Sequence, residues 1–275
     1  MTTVNLAIDG LGPTEVAFEE LGPANAPVVL LIHGSGPGAS AAGAWRLTMP
    51  ELAQHYRVIA PDLLGFGNSA PAVDGRHDRE RWLAQLRAQL HFIDAPSVRV
   101  VGSSLGGGLA LHLALLEPER IDRLVLIAPL GSAFTLTEGL EQVWGYQPSL
   151  AAMDDLMHTF VYDASGVSAE IVQLRYDNSL LTQQAYCGMF PPPRQQWIDE
   201  YVVTAQQADL LTMPTLIVHG RDDQVVPHSS SLALRDLLPK ASLLSLEQCG
   251  HWAQIEHAAQ VNAALDAFFD YKPEG

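Results

Sequence analysis

Short apolar runs rich in Val, Ile and Leu recur along the chain, and several are separated by stretches whose apolar residues return every three or four positions. The runs at residues 28–32, 57–60, 98–101, 123–128, 215–218 and 242–246 have the length of buried strands. Residues 44–54, 78–93, 105–116, 229–238 and 258–269 carry helical spacing. This alternation predicts an α/β fold: a mostly parallel sheet with helices on both faces, because parallel strands need crossover connections. Residues 4–21 read as an opening hairpin that turns at Asp9-Gly10 and adds antiparallel edge strands.

One interval breaks the rhythm. Residues 131–208 hold no strand-like run, only helix-compatible pieces carrying Trp144, Met153, Met157, Phe160, Met189, Phe190 and Trp197, punctuated by Pro191-Pro192-Pro193. An insertion there reads as a helical cap over the C-terminal strand ends, where open α/β sheets place their sites. An appended structural subdomain is the alternative. The expected organisation is a core of residues 1–130 and 209–275 with a cap at 131–208. The apolar side chains Trp144, Met153, Phe160 and Phe190 are expected to set the size of the pocket beneath it.

Composition narrows the function. A chain of 275 residues buries roughly three quarters of its unfolded surface, enough for one large core plus an insertion. The formal charge of -16 argues against nucleic acid and means that an anionic ligand needs a local cation. Cys187 and Cys249 follow no metal spacing, the N-terminus lacks a charged-then-apolar signal, and no apolar run reaches the length of a membrane span. These features lead us to expect a cytoplasmic protein without membrane, metal or organic cofactor.

The candidate chemistry begins where the apolar run at 98–101 ends in Gly102-Ser103-Ser104-Leu105-Gly106. Strand, Gly-x-Ser-x-Gly and helix together predict a sharp turn that presents Ser104 as a nucleophile. Such a serine needs a base and a carboxylate to orient that base. His219-Gly220-Arg221-Asp222-Asp223 follows one later strand and Cys249-Gly250-His251-Trp252 follows the next. The order Ser, Asp, His points to Ser104, Asp223 and His251. Asp222 competes with Asp223 but is better placed to bond locally in the turn or to face water. His33 reads as structural, and the remaining histidines, His77 and His112 among them, as surface or helix positions. Oxyanion donors are expected from the Leu105 N–H and from Ser35 and Gly36 in His33-Gly34-Ser35-Gly36-Pro37-Gly38. Null alternatives are a flexible glycine loop or a dinucleotide site, the latter disfavoured by glycine spacing.

The stretches 32–38, 61–67 and 249–257 resemble the meta-cleavage product hydrolases, α/β-hydrolases that split carbon–carbon bonds in ring-opened aromatics. The cap segments Gln173-Leu174-Arg175-Tyr176 and residues 189–197 are similar to the branch acting on single-ring products, which includes 2-hydroxymuconate-semialdehyde hydrolases. The resemblance implies ketonisation of a 2-hydroxy-6-oxohexa-2,4-dienoate, then cleavage of C5–C6 by attack on the C6 carbonyl, either by Ser104 or by water that the site activates. It further implies that Arg175 contacts the dienoate carboxylate or 2-oxo group, a surface arginine on a cap helix being the alternative. It also implies that Trp252, the aromatic beside the histidine, and Ser103 bind substrate, with plain packing the alternative for Trp252, and that the protein is a homodimer or larger. Ser103 and Ala44 stand where the family usually carries asparagines that steady the dienolate; a Ser103 hydroxyl or bound water can replace them in part. An esterase using the same three residues is the rival reading. A small-molecule receptor with a signalling cap is a third, distinguished by tight binding without turnover.

Overall fold

A computed structural model describes residues 1–270. Eight strands form one sheet: β1 (Thr2–Ile8), β2 (Gly12–Leu21), β3 (Val28–Ile32), β4 (Arg57–Pro61), β5 (Val98–Ser103), β6 (Ile121–Ile127), β7 (Thr215–Gly220) and β8 (Ala241–Leu246). Their spatial order is β1-β2-β4-β3-β5-β6-β7-β8. The hairpin β1–β2 and the pair β2–β4 are antiparallel, and every other pairing is parallel. The chain leaves β3 for β4 on one side and returns to β5 on the other. A crevice opens where that direction reverses, at the carboxyl ends of β3 and β5.

Burial on both faces follows from the continuous apolar runs. In β3, Val28, Leu30 and Ile32 enter one core cluster while Val29 and Leu31 enter the other. Residues alternate across a strand, so a run without polar positions must be covered on both sides. The covering helices are α1 (Ala41–Trp45), α2 (Met49–Leu52), α3 (Arg79–Phe92), α4 (Leu105–Leu116), and, toward the C-terminus, α11 (His228–Leu237), α12 (Ala253–Glu256) and α13 (Ala258–Asp270). Between β6 and β7 come α5 (Glu138–Trp144), α6 (Leu150–Phe160), α7 (Ala169–Leu181), α8 (Gln183–Tyr186), α9 (Gln195–Asp199) and α10 (Ala205–Ala208); short 3-10 turns lie at Ala164–Gly166 among them and at Pro118–Arg120 before β6. Among the described residues, no helix is long and apolar enough to cross a membrane.

Three expectations need correction. The single helix over 44–54 is broken into α1 and α2, with Pro50 in the first turn of α2. Proline has no N–H to donate to the carbonyl four residues back, so the helix restarts there. His77 is buried rather than exposed, with its Nε2 at 3.2 Å from the Ala72 N–H. The apolar wall of the cavity beside Ser104 includes Leu140, Val143, Met157, Phe160 and Val225; Trp144, Met153 and Phe190 are buried and do not line it.

Candidate active site

The turn after β5 carries Ser104 at φ 56 and ψ -120, a left-handed backbone that a serine adopts only under constraint. Close packing imposes it. A Cβ on Gly102 would lie 2.2 Å from the Gly106 carbonyl, and one on Gly106 would lie 2.3 Å from the carbonyl of Ile32. Both glycines of Gly-x-Ser-x-Gly are therefore required for α4 to start hard against β3 and β5. The Ser104 side chain does not cap α4, and its hydroxyl takes no hydrogen-bond partner among the described residues. It lines a cavity of about 220 Å³ together with His251, Ser35, Gly36, Ser103 and Arg175.

Asp223 stands on the loop after β7 with its side chain fully buried. Its Oδ2 accepts from His251 Nδ1 at 2.7 Å, and its Oδ1 accepts from the N–H groups of Val225 at 2.7 Å and Val226 at 3.0 Å. Burial alone would raise this carboxyl, but the neighbouring His251 and His219 outweigh it and hold the group well below the usual carboxylate range. Asp222 is exposed, and its carboxylate accepts at 3.4 Å from the N–H of Cys249 on the following loop rather than within its own turn. With Nδ1–H committed to Asp223, His251 presents Nε2 as its free acceptor.

The insertion between β6 and β7 grips the histidine loop. The His251 N–H donates to the Phe160 carbonyl at 2.8 Å, at the end of α6. The Phe160 ring stacks on Trp252, with centroids 4.3 Å apart, and on His251 at 5.9 Å. Glu256 ties the same loop down, accepting from Gly250 N–H at 2.7 Å and Tyr162 N–H at 2.6 Å. Arg175 on α7 is half-buried, with its guanidinium 5.4 Å from the Trp252 ring centroid and its buried Nε without a partner among the described residues. A Cβ on Gly36 would lie 3.1 Å from an Arg175 terminal nitrogen, so the cation sits against the glycine loop after β3.

Ser35 and Gly36 line the cavity, and the Ser35 hydroxyl accepts from Trp144 Nε1 at 3.0 Å. Leu105, fully buried, occupies the first position of α4, where a helix leaves its N–H unpaired. His33 is fully buried: its Nε2 accepts from the Leu63 N–H at 3.0 Å, which leaves Nδ1–H to donate to the Gly34 carbonyl at 2.7 Å. Asp62 serves structure in the same way, accepting from the N–H groups of Ala41 at 2.6 Å and Asn68 at 2.8 Å. Ala44 and Ser103 both line the cavity, at the positions where the resemblance led us to look for amides.

Two residues at the site escaped the sequence reading. Gln254 is 2% exposed and lines the cavity, and its Oε1 has no partner. Its place one turn beyond His251 was the available signal. His219 closes β7 and reaches Asp223 at 3.1 Å; it was visible only as one letter of a strand-end motif. Among the described residues, no group of three or more His, Cys, Asp or Glu side chains is arranged to hold a metal ion.

Residues 27–258 match the family described as alpha/beta hydrolase fold. The chain is 44% identical over 242 residues to a 2-hydroxymuconate semialdehyde hydrolase of Pseudomonas sp. strain CF600, covering 87% of this chain and 86% of that protein. It is 44% identical over 261 residues to a 2-hydroxy-6-oxo-2,4-heptadienoate hydrolase of Pseudomonas putida F1, covering 93% and 94%. A mutant of the meta-cleavage product hydrolase from Pseudomonas fluorescens IP01, solved with acetates, superposes with a TM-score of 0.93 at 40% identity, covering 98% of this chain and 97% of that one. The chain therefore belongs to the alpha/beta hydrolase family, among its meta-cleavage product hydrolases.

Proposed function

We propose that the cavity hydrolyses the C5–C6 bond of a 2-hydroxy-6-oxohexa-2,4-dienoate carrying a small C6 substituent, with Ser104, His251 and Asp223 as its catalytic residues. The observation that carries this reading is the placement of a half-buried cation, Arg175, in the same small cavity as Ser104 and His251. A simple esterase has no need of a guanidinium in the cavity of its serine. A dienoate carboxylate does, above all in a chain of net charge -16.

The reaction proceeds in two stages. Arg175 binds the carboxylate end, and Ser103 and Trp252 border it. The 2-hydroxyl loses its proton as C5 gains one, which makes C5–C6 cleavable by a retro-Claisen step. Ser104 Oγ then attacks C6 while His251 Nε2 takes the hydroxyl proton, and Asp223 holds the imidazole in the Nδ1–H tautomer. Hydrogen bonds of this kind tighten when substrate arrives, so a serine hydroxyl without a partner in the free protein is compatible with the role. The C6 oxyanion is held by N–H groups of Leu105 and the Ser35–Gly36 loop, each such donor contributing about 3 kcal/mol. Breaking C5–C6 leaves an electron pair that shifts through C4 and C3 onto the 2-oxygen, which takes up a proton to give 2-hydroxypenta-2,4-dienoate. Water then releases the acyl group as a small acid.

A volume of about 220 Å³ lies below the roughly 300–1,000 Å³ of pockets for drug-sized ligands, which supports a small C6 group. The test is to add yellow ring-fission products with hydrogen, methyl or phenyl at C6 and follow bleaching, beside neutral aryl esters. The first two should bleach fastest. Efficient ester turnover without bleaching of the small-group dienoates would instead assign an esterase. We further infer a cytoplasmic homo-oligomer, which light scattering would test for the assembly.

A further inference from the structure

The carboxylate that orients the proposed base is shared between two histidines. Asp223 Oδ2 accepts from His251 Nδ1 at 2.7 Å and lies 3.1 Å from His219 Nε2. His219 is fully buried at the end of β7, and no step of the proposed reaction uses it.

The partners of the His219 ring fix where its hydrogen sits. Nε2 faces Asp223 Oδ2 and the Val226 carbonyl at 3.0 Å, both acceptors only, so this nitrogen carries the hydrogen. Nδ1 faces the Ser231 hydroxyl of α11 at 2.6 Å, which donates to the bare nitrogen. Ser231 is itself fully buried, so water does not compete for that bond. A neutral ring with hydrogen on Nε2 satisfies every one of these contacts.

We infer that His219 is a positioning residue whose Nε2–H pins the Asp223 carboxylate against His251 and draws off part of the negative charge that would otherwise act on His251 alone. This rests on the triad reading above. Val225 and Val226 hold Oδ1, so His219 fills the last acceptor position of the carboxylate. Removing it leaves Oδ2 to His251 alone and strengthens the pull on the imidazolium form. The acid limb of kcat/KM, where the base takes up a proton, then moves to higher pH.

Other titratable groups stand nearby. On α11 the His228 ring meets His219 edge-on at 5.5 Å, with Arg221 acting on His228. On the loop side, Asp222, Asp223 and Glu256 all bear on Cys249. His228 is the one able to mimic the effect, so it needs its own control.

The experiment compares His219→Leu with His219→Gln by pH–rate profile. Glutamine places an amide donor near the position of the imidazole Nε2, whereas leucine offers none. In the leucine variant the acid limb should rise by about half a pH unit, and in the glutamine variant it should stay at the wild-type position. An unmoved limb in folded His219→Leu, or equal shifts in both variants, overturns the inference. The leucine shift should persist in a His228→Gln background; its disappearance there assigns the effect to His228 and also overturns it. Nitrogen-15 NMR of the wild-type protein decides the matter even where the leucine variant fails to fold. The expected result is the Nε2–H tautomer for His219, with resonances that respond when His251 titrates, and an Nδ1–H tautomer contradicts it. That measurement needs no turnover, so its failure is separable from failure of the triad, which Ser104→Ala tests.

Discussion

The guanidinium of Arg175 lies over the indole of Trp252, 5.4 Å from the ring centroid, and that indole stacks in turn on Phe160. A helix of the insertion thus sets a cation on the residue next to His251, held by an aromatic pair that spans insertion and core. Burial lowers the Arg175 pKa to about 10, which leaves it charged at neutral pH. Without a carboxylate partner among the described residues, it is poised for one in the substrate.

Arg175→Met should therefore lower kcat/KM for a dienoate about 100-fold, roughly 3 kcal/mol, mostly through KM. Hydrolysis of a neutral aryl ester should change far less. Parallel kinetics on the two substrates check this, and equal losses on both would contradict the carboxylate role.

Asp223 links the site to acid stability. Its folded-state pKa is depressed, so its contribution is complete above the unfolded value of about 3.9 and is lost as pH falls toward the folded value. Urea unfolding should find wild type more stable than Asp223→Asn at neutral pH, with the gap narrowing below about pH 4. A gap independent of pH would mean that the charge contributes nothing.

The two cysteines should separate cleanly by reactivity. Cys187 is exposed, whereas burial first, then the charges of Glu256, Asp223 and Asp222, push the Cys249 thiol up to about 12. A thiol reagent at pH 8 should label Cys187 in the folded protein and reach Cys249 only after unfolding. Peptide mapping by mass spectrometry reads the result.

Gly106→Ala tests whether close approach sets the serine turn. The added Cβ would sit 2.3 Å from one backbone carbonyl and 2.5 Å from the next, neither able to swing aside. Overpacking of this kind costs about 1–3 kcal/mol, so Tm should drop and activity fall more than stability alone explains. A variant with wild-type Tm and activity would show that the turn tolerates displacement.

How far the fold could be read from the chain depends on the kind of signal. Strand 28–32 was plain because five consecutive apolar residues can be buried on both faces only in a covered sheet. Gly102, Gly106 and Ser104 were legible because each answers a local backbone demand. The break between α1 and α2 was harder, since the apolar spacing continues through Pro50. Pocket-lining residues were legible least of all. Trp144 and Phe190 stack on each other, with centroids 4.7 Å apart, and are not among the residues lining a cavity that their size suggested they would fill. Tertiary pairing decides that, and no periodicity in one segment encodes it. His219 and Gln254 were missed for a related reason: His219 meets Asp223 and Ser231 only because the chain after β7 folds back on it, and the Gln254 Oε1 has no partner among the described residues.

The most direct measurement is rapid mixing of Ser104→Ala with a yellow ring-fission dienoate, following substrate absorbance and product together. The account predicts that the variant binds the dienoate with near wild-type affinity and forms no 2-hydroxypenta-2,4-dienoate. Product formation at the wild-type rate would contradict it, because C5–C6 would then be cut without the hydroxyl on which the mechanism turns.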